Sequence, residues 1–180
     1  MARTLLTNGL TIIAALMVVA SGCTDLKTVS YMDPPRTKLR EYTSIEIATF
    51  ETEIPDVPEA ALTKLPEVVA KAIQEKGLGF KEIAYGDKEL PYDKGTIVMF
   101  GDIVDYQSGR SIKAEKGSIK FGEAALTVKL SMVNKATGKE ITNGEVNSSS
   151  SFGFLSKGVI SKGVYTAIGE EIANFIKKNY

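Results

Sequence analysis

The sequence predicts an α/β domain of the α+β kind: a single sheet of about five strands with two helices packed on one face, in the order β-α-β-β-β-β-α. Three observations predict it. Residues 126–134, LTVKLSMVN, alternate apolar Leu126, Val128, Leu130 and Met132 with polar Thr127, Lys129 and Ser131, the period of a sheet with one wet face. Two segments, 58–76 and 159–178, repeat their apolar residues at three and four, the period of a helix with one buried stripe. The remaining strand-like runs are punctuated by Gly, Pro and Asp, which break regular structure.

The first strand is expected over 44–51, SIEIATFE, with Ile45, Ile47 and Thr49 on one face and Glu46, Ala48 and Phe50 on the other. The breaker-rich IPDVP at 54–58 follows. The helix over 58–76 carries Leu62, Leu65, Val69, Ala72 and Ile73 on its apolar stripe. Pro66 either kinks it or begins the main helix at its first turn. Gly77 and Gly79 supply the stop. A short strand is expected at 80–85, then the loop GDKELPYDKG at 86–95.

Residues 96–106, TIVMFGDIVDY, form the strongest strand. Strict alternation puts Asp102 and Asp105 on opposite faces, so they make no paired acid–base site. The polar stretch 107–123 leads to the strand at 126–134. A tight turn over 135–139 returns the chain as a strand over 140–150. The phrase SKGV, repeated in 156–164, is read as a loop leading into the last helix. That helix, 159–178, buries Val164, Ala167, Ile168, Ile172, Phe175 and Ile176.

The N-terminus has a different character. Residues 1–22 hold one charge, Arg3, and residues 10–20 read LTIIAALMVVA. That run is well short of the roughly 20 residues a spanning helix needs. A positive start, a short apolar core and small residues before a cleavage point describe a secretory signal peptide. Ala20-Ser21-Gly22-Cys23 resembles the lipobox of bacterial lipoproteins, with Ala20 where that class most often has leucine. The resemblance implies cleavage between Gly22 and Cys23 and palmitate-class acylation of Cys23. Aspartate directly after the cysteine commonly signals inner-membrane retention in that class; here Thr24 stands there and Asp25 follows. The implied location is the outer membrane, facing the periplasm. Residues 23–42, containing Pro34-Pro35, are read as the lipidated cysteine and a flexible tether, and 43–180 as the globular domain.

Composition narrows the chemistry. Removing residues 1–22 leaves 158 residues, one domain by length. With 22 basic and 22 acidic residues, the chain offers no global field for nucleic acid. It has no histidine, which removes the usual general base, the His-dependent triads and the commonest zinc ligand. Cys23 is the sole cysteine, so no intrachain disulfide forms, and acylation leaves no thiolate. No cofactor, no metal and no catalytic set are expected.

Residues 101–141 resemble an uncharacterised family of bacterial lipoproteins, a domain of unknown function. The resemblance rests on Gly101, Gly109, Arg110, Gly117, Gly122, Ala125, Val128, Val133, Thr137 and Gly138. Members pair a strand ending in a Gly-Ser/Arg-rich loop with a strand closing on a Thr-Gly-Lys/Glu turn. Lysine replaces arginine at several loop positions here. At the level of fold, the element order is also similar to the curli-secretion and peptidoglycan-synthase-activator lipoprotein domains, a likeness that transfers no function.

The candidate contact residues are Arg110, Lys113, Lys116 and Lys120, set against Glu115 and Glu123 among glycines. They read either as an anion or partner contact or as a twisted hairpin whose charges keep it wet. Asp87, Glu89 and Asp93 read as a solvated loop rather than a metal site. Ser148–Ser151 with Phe152 and Phe154 read as a partner surface or as a strand end with its aromatics in the core. The expected function is a membrane-anchored envelope lipoprotein with a non-catalytic binding or scaffolding domain. Its partners would be the membrane, through the anchor, and an envelope protein or peptidoglycan. The alternatives are a subunit of an oligomeric envelope or secretion assembly, and a carboxylate-dependent enzyme acting on envelope glycans.

Overall fold

The computed structural model describes residues 25–108, 113–115, 118–120, 124–151 and 157–180. Among these are β1 (Asp25–Met32), β2 (Ser44–Ile47), β3 (Glu51–Thr52), α1 (Glu59–Glu75), β4 (Glu82–Tyr85), β5 (Thr96–Ser108), β6 (Lys113–Glu115), β7 (Ser118–Lys120), β8 (Ala124–Asn134), β9 (Glu140–Ser151) and α2 (Lys157–Asn179). The main sheet is seven-stranded, in the order β1-β9-β8-β5-β2-β4, with β3 beside β5. It is larger than the expected five or so strands. β6 and β7 form a separate antiparallel ribbon. The β5-β8-β9-β1 half is antiparallel, and β2, β3 and β4 run parallel to their neighbours.

Both helices cover one face, as expected. Ile45, Ile47, Ile97, Met99, Ile103, Leu126, Val128, Leu130 and Met132 point to that side. They meet Leu65, Val69 and Ile73 of α1 and Val164, Ile168, Ile172 and Ile176 of α2. Each such aliphatic side chain contributes roughly 1.5–3 kcal/mol on full burial. A Cβ at Gly169 of α2 would lie 2.8 Å from Val68 Cγ1 and 3.2 Å from the Val68 backbone, so the helices approach closely where that glycine sits.

Four expectations need correction. The segment expected as a tether holds β1, which pairs with β9 over eight residues from Asp25↔Ser151 to Met32↔Gly144. Pro34-Pro35 ends that strand rather than loosening the whole segment, and Leu39 and Tyr42 beyond it are buried in the core. The first strand stops at Ile47, and Phe50 turns into the core instead of sharing a face with Glu46. Gly101 makes the room, since a Cβ there would lie 2.6–2.7 Å from three Phe50 ring atoms. The SKGV repeat is helical from Lys157 onward. Finally, β5 carries a register shift between Ile103 and Asp105, so Ile103 opposes Val128 and Asp105 opposes Thr127. The extra residue, Val104, brings Asp105 to the same side as Asp102.

Pro66 lies inside α1, which starts at Glu59. A proline there removes the bond that residue 66 would donate to the carbonyl four residues back. That carbonyl, Leu62 O, accepts the Phe50 N–H at 3.2 Å instead. Among the described residues, no helix is long and apolar enough to cross a membrane.

Candidate binding face

The face of the sheet opposite the helices carries the distinctive polar chemistry. β2, β5 and β8 send Glu46, Val98, Phe100, Asp102, Lys129, Ser131 and Val133 to it, by the two-residue alternation that sends their neighbours to the core. Tyr31, Glu145, Lys129 and Asp102 stand in register across β1, β9, β8 and β5. Opposite charges so placed contribute about 0.2–1 kcal/mol per pair.

Over β2 and the start of β5, the 86–95 loop folds across this face. Leu90 is buried there with Ala84 and Val98, outside the helix-side core. The loop is held by an ion pair. Lys135 Nζ donates to Glu46 Oε2 at 2.6 Å and to Leu90 O at 2.6 Å, and the Leu90 N–H donates to Glu46 Oε2 at 2.6 Å. The Lys135 and Glu46 side chains are 4% and 10% exposed. The ammonium also lies 4.7 Å from the centroid of the Tyr92 ring, a favourable cation–π placement. With its donors engaged in this way, Lys135 latches the loop to β2 and to the hairpin turn.

The turn sets up that latch. Asn134 Oδ1 accepts from the Thr137 N–H and Oγ1, both at 3.0 Å, and Gly138 takes φ +65°, which glycine adopts without strain. The Lys135 N–H then donates to Thr96 O at 2.9 Å, fixing the lysine beside β5. Asp93 closes the other end of the loop, accepting from the Gly95 N–H at 2.8 Å and Thr96 Oγ1 at 2.9 Å.

Two concavities flank Phe100, whose surface is 49% exposed. One of about 450 Å³ is lined by Glu46, Asp87, Glu89, Tyr92, Phe100 and Lys135, among others. The other, about 300 Å³, includes Thr49, Glu51, Phe100, Asp102, Lys129 and Ser131. Each is lined by the Phe100 ring, by at least two carboxylates and by one lysine. Away from this face, Glu67 on α1 is held down to about 2 by hydrogen bonds from Lys64 and Lys71 and by their charges. Burial, with the charge of Tyr106 second, pushes the Tyr165 phenol up.

The candidate residues read from sequence fall elsewhere. Gly22, Cys23, Arg110 and Lys116 lie outside the described residues. Lys113 and Lys120 are cross-strand partners in the β6–β7 ribbon. Ser148 and Ser150 are buried within the sheet, and Ser148 Oγ pairs with Thr28 Oγ1 at 3.1 Å; Phe152 and Phe154 lie outside the described residues. The Glu46–Lys135 latch had no signal in the sequence beyond the tight turn.

No family model and no curated protein matches this chain. Solved structures do. A PelC dodecamer from Paraburkholderia phytofirmans aligns with TM-score 0.59 at 9% identity, covering 83% of this chain and 97% of that one. A Xanthomonas campestris protein of the DUF330 family aligns with TM-score 0.51 at 10% identity, over 79% of this chain and 86% of that one. A minor lipoprotein from Acinetobacter baumannii aligns more loosely, with TM-score 0.47 at 14% identity, over 77% and 94%. The chain therefore shares its fold with PelC and the DUF330 protein.

Proposed function

We propose that this chain is a cell-envelope lipoprotein, cleaved after Gly22 and acylated on Cys23, whose domain works as a non-catalytic binding or scaffolding module at the periplasmic side of the outer membrane. The observation that carries the binding role is the helix-free face, where exposed Phe100 stands between two concavities. A photo-crosslinking residue in place of Phe100 is expected to give a discrete adduct in intact cells. The same probe at Ala136, on the exposed hairpin turn, is expected to give none. Equal adducts at both positions, or none at Phe100 in fully acylated protein, contradict the binding role.

A second reading is favoured by one finding. The PelC structure that aligns over nearly its whole length is a dodecamer. In this reading the domain scaffolds by self-association, as a subunit of an oligomeric envelope assembly. Mass determination in detergent separates the two: a large discrete oligomer supports self-association, and a monomer at all concentrations rejects it.

A further inference from the structure

β1 begins at Asp25, so a single residue, Thr24, separates the sheet from Cys23. Two Cα steps span at most about 7 Å. An acylated Cys23 would hold the start of β1 at the bilayer surface, and pairing along eight residues of β9 ties that strand to the rest of the sheet. We propose that the end of the sheet where β1 begins is a membrane-facing surface, seated on anionic lipid headgroups that the basic residues of the adjoining chain, Lys113, Lys120 and Lys157, attract. This rests on the acylation of Cys23 proposed above.

The register shows what shares that end. Leu26 opposes Ser150, Ser150 opposes Ala124, and Ala124 opposes Ser108. The start of β1, the end of β9, the start of β8 and the end of β5 are therefore level. At the usual strand spacing they cover about 15 Å of one sheet end. The β6–β7 ribbon is inserted between Ser108 and Ala124. Chain length alone keeps Lys113 within about 18 Å of Ser108 and Lys120 within about 14 Å of Ala124. Lys113 and Lys120 oppose each other in the ribbon. α2 begins with Lys157, six residues past Ser151.

Charge favours an anionic surface as the occupant. Residues 107–123 hold four basic and two acidic side chains, residues 152–162 hold Lys157 and Lys162 with no acid, and Asp25 adds one acid at the start of β1. Basic residues next to a bilayer anchor are attracted by anionic lipid, by about fivefold in partitioning for each one. The hairpin turn at 135–139 lies at the other end of β8, eleven residues or about 35 Å away.

The test uses the full acylated protein, reconstituted into phosphatidylcholine vesicles with or without phosphatidylglycerol and with nitroxide-labelled headgroups. A fluorophore is attached at Lys120→Cys or at Ala136→Cys. Quenching at position 120 is expected to exceed that at 136 several-fold and to rise with phosphatidylglycerol. Lys113→Gln with Lys157→Gln is expected to cut that rise by about half or more, with circular dichroism unchanged. Equal quenching at the two positions in protein whose mass shows acyl chains overturns the orientation and leaves the anchor standing. Quenching at 120 that ignores phosphatidylglycerol overturns the headgroup contact. Protein whose mass shows bare polypeptide overturns the anchor itself, and the orientation with it.

Discussion

Lys135 occupies a hairpin turn, where a lysine is ordinarily solvated, yet its ammonium is buried against Glu46 and the Leu90 carbonyl. Removing one partner of a buried ion pair leaves the other charge stranded, at about 3–5 kcal/mol. Lys135→Met is therefore expected to destabilise the domain by that order. Lys135→Met combined with Glu46→Leu should recover part of the loss, because no buried charge remains while the Leu90 N–H and carbonyl lose their partners. Denaturant melts of the single and double variants check this; losses that merely add contradict the latch. The pair was invisible in the sequence because its members lie 89 residues apart and each looks solvated in its own segment. Pro66 was visible but ambiguous. The Phe50 amide bonds the Leu62 carbonyl that the proline leaves free. Pro66→Ala should thus gain clearly less than the roughly 3 kcal/mol that separates the two residues in a helix interior. A full gain in a melt would show that carbonyl to be unsatisfied in the parent.

At the scale of elements, α1 carries a measurable electrostatic signature. Lys64 and Lys71 flank Glu67 at 2.7 and 2.9 Å, and its carboxyl is lowered from 4.5 to about 2. The folded state therefore binds this proton less readily than the unfolded chain. The contribution is present above about pH 4.5 and is lost as pH falls toward 2. Glu67→Gln should weaken the domain at pH 7, with the difference from the parent vanishing near pH 2; the effect is small because all three groups face solvent. Melts across that range read it, and a constant difference contradicts it. The long elements were legible because their apolar residues recur at one period over most of their length. β1 was not, because DLKTVSYM offers small polar residues where a buried strand usually shows aliphatics. Its support is the ladder to β9, with Ser30 Oγ donating to Glu171 of α2 at 2.5 Å. Alternate amides of β1 should exchange as slowly as sheet amides, whereas a tether would exchange them all at once. The bulge at Val104 likewise escaped a reading built on strict alternation, and with it the common face of Asp102 and Asp105.

The whole molecule is a helix-covered sheet whose other face is open around Phe100 and whose first strand starts next to the proposed lipid attachment point. This changes the expected mechanics. A long tether would let the domain wander from the bilayer, whereas β1 would hold one end of the sheet close to a bilayer that anchors Cys23. The candidate contact loop was legible as a basic, glycine-rich stretch, but its relation to the anchor was not. That relation depends on β1 pairing with β9, a contact between distant parts of the chain. Cys23 is central to the account, and the most direct measurement is the intact mass and N-terminal sequence of the protein purified from membranes of its native host. The account predicts a chain beginning at Cys23, heavier than its polypeptide by a diacylglycerol and, where the amine is acylated, a further fatty acid. A chain that starts at any other residue, or that weighs no more than the polypeptide, contradicts it.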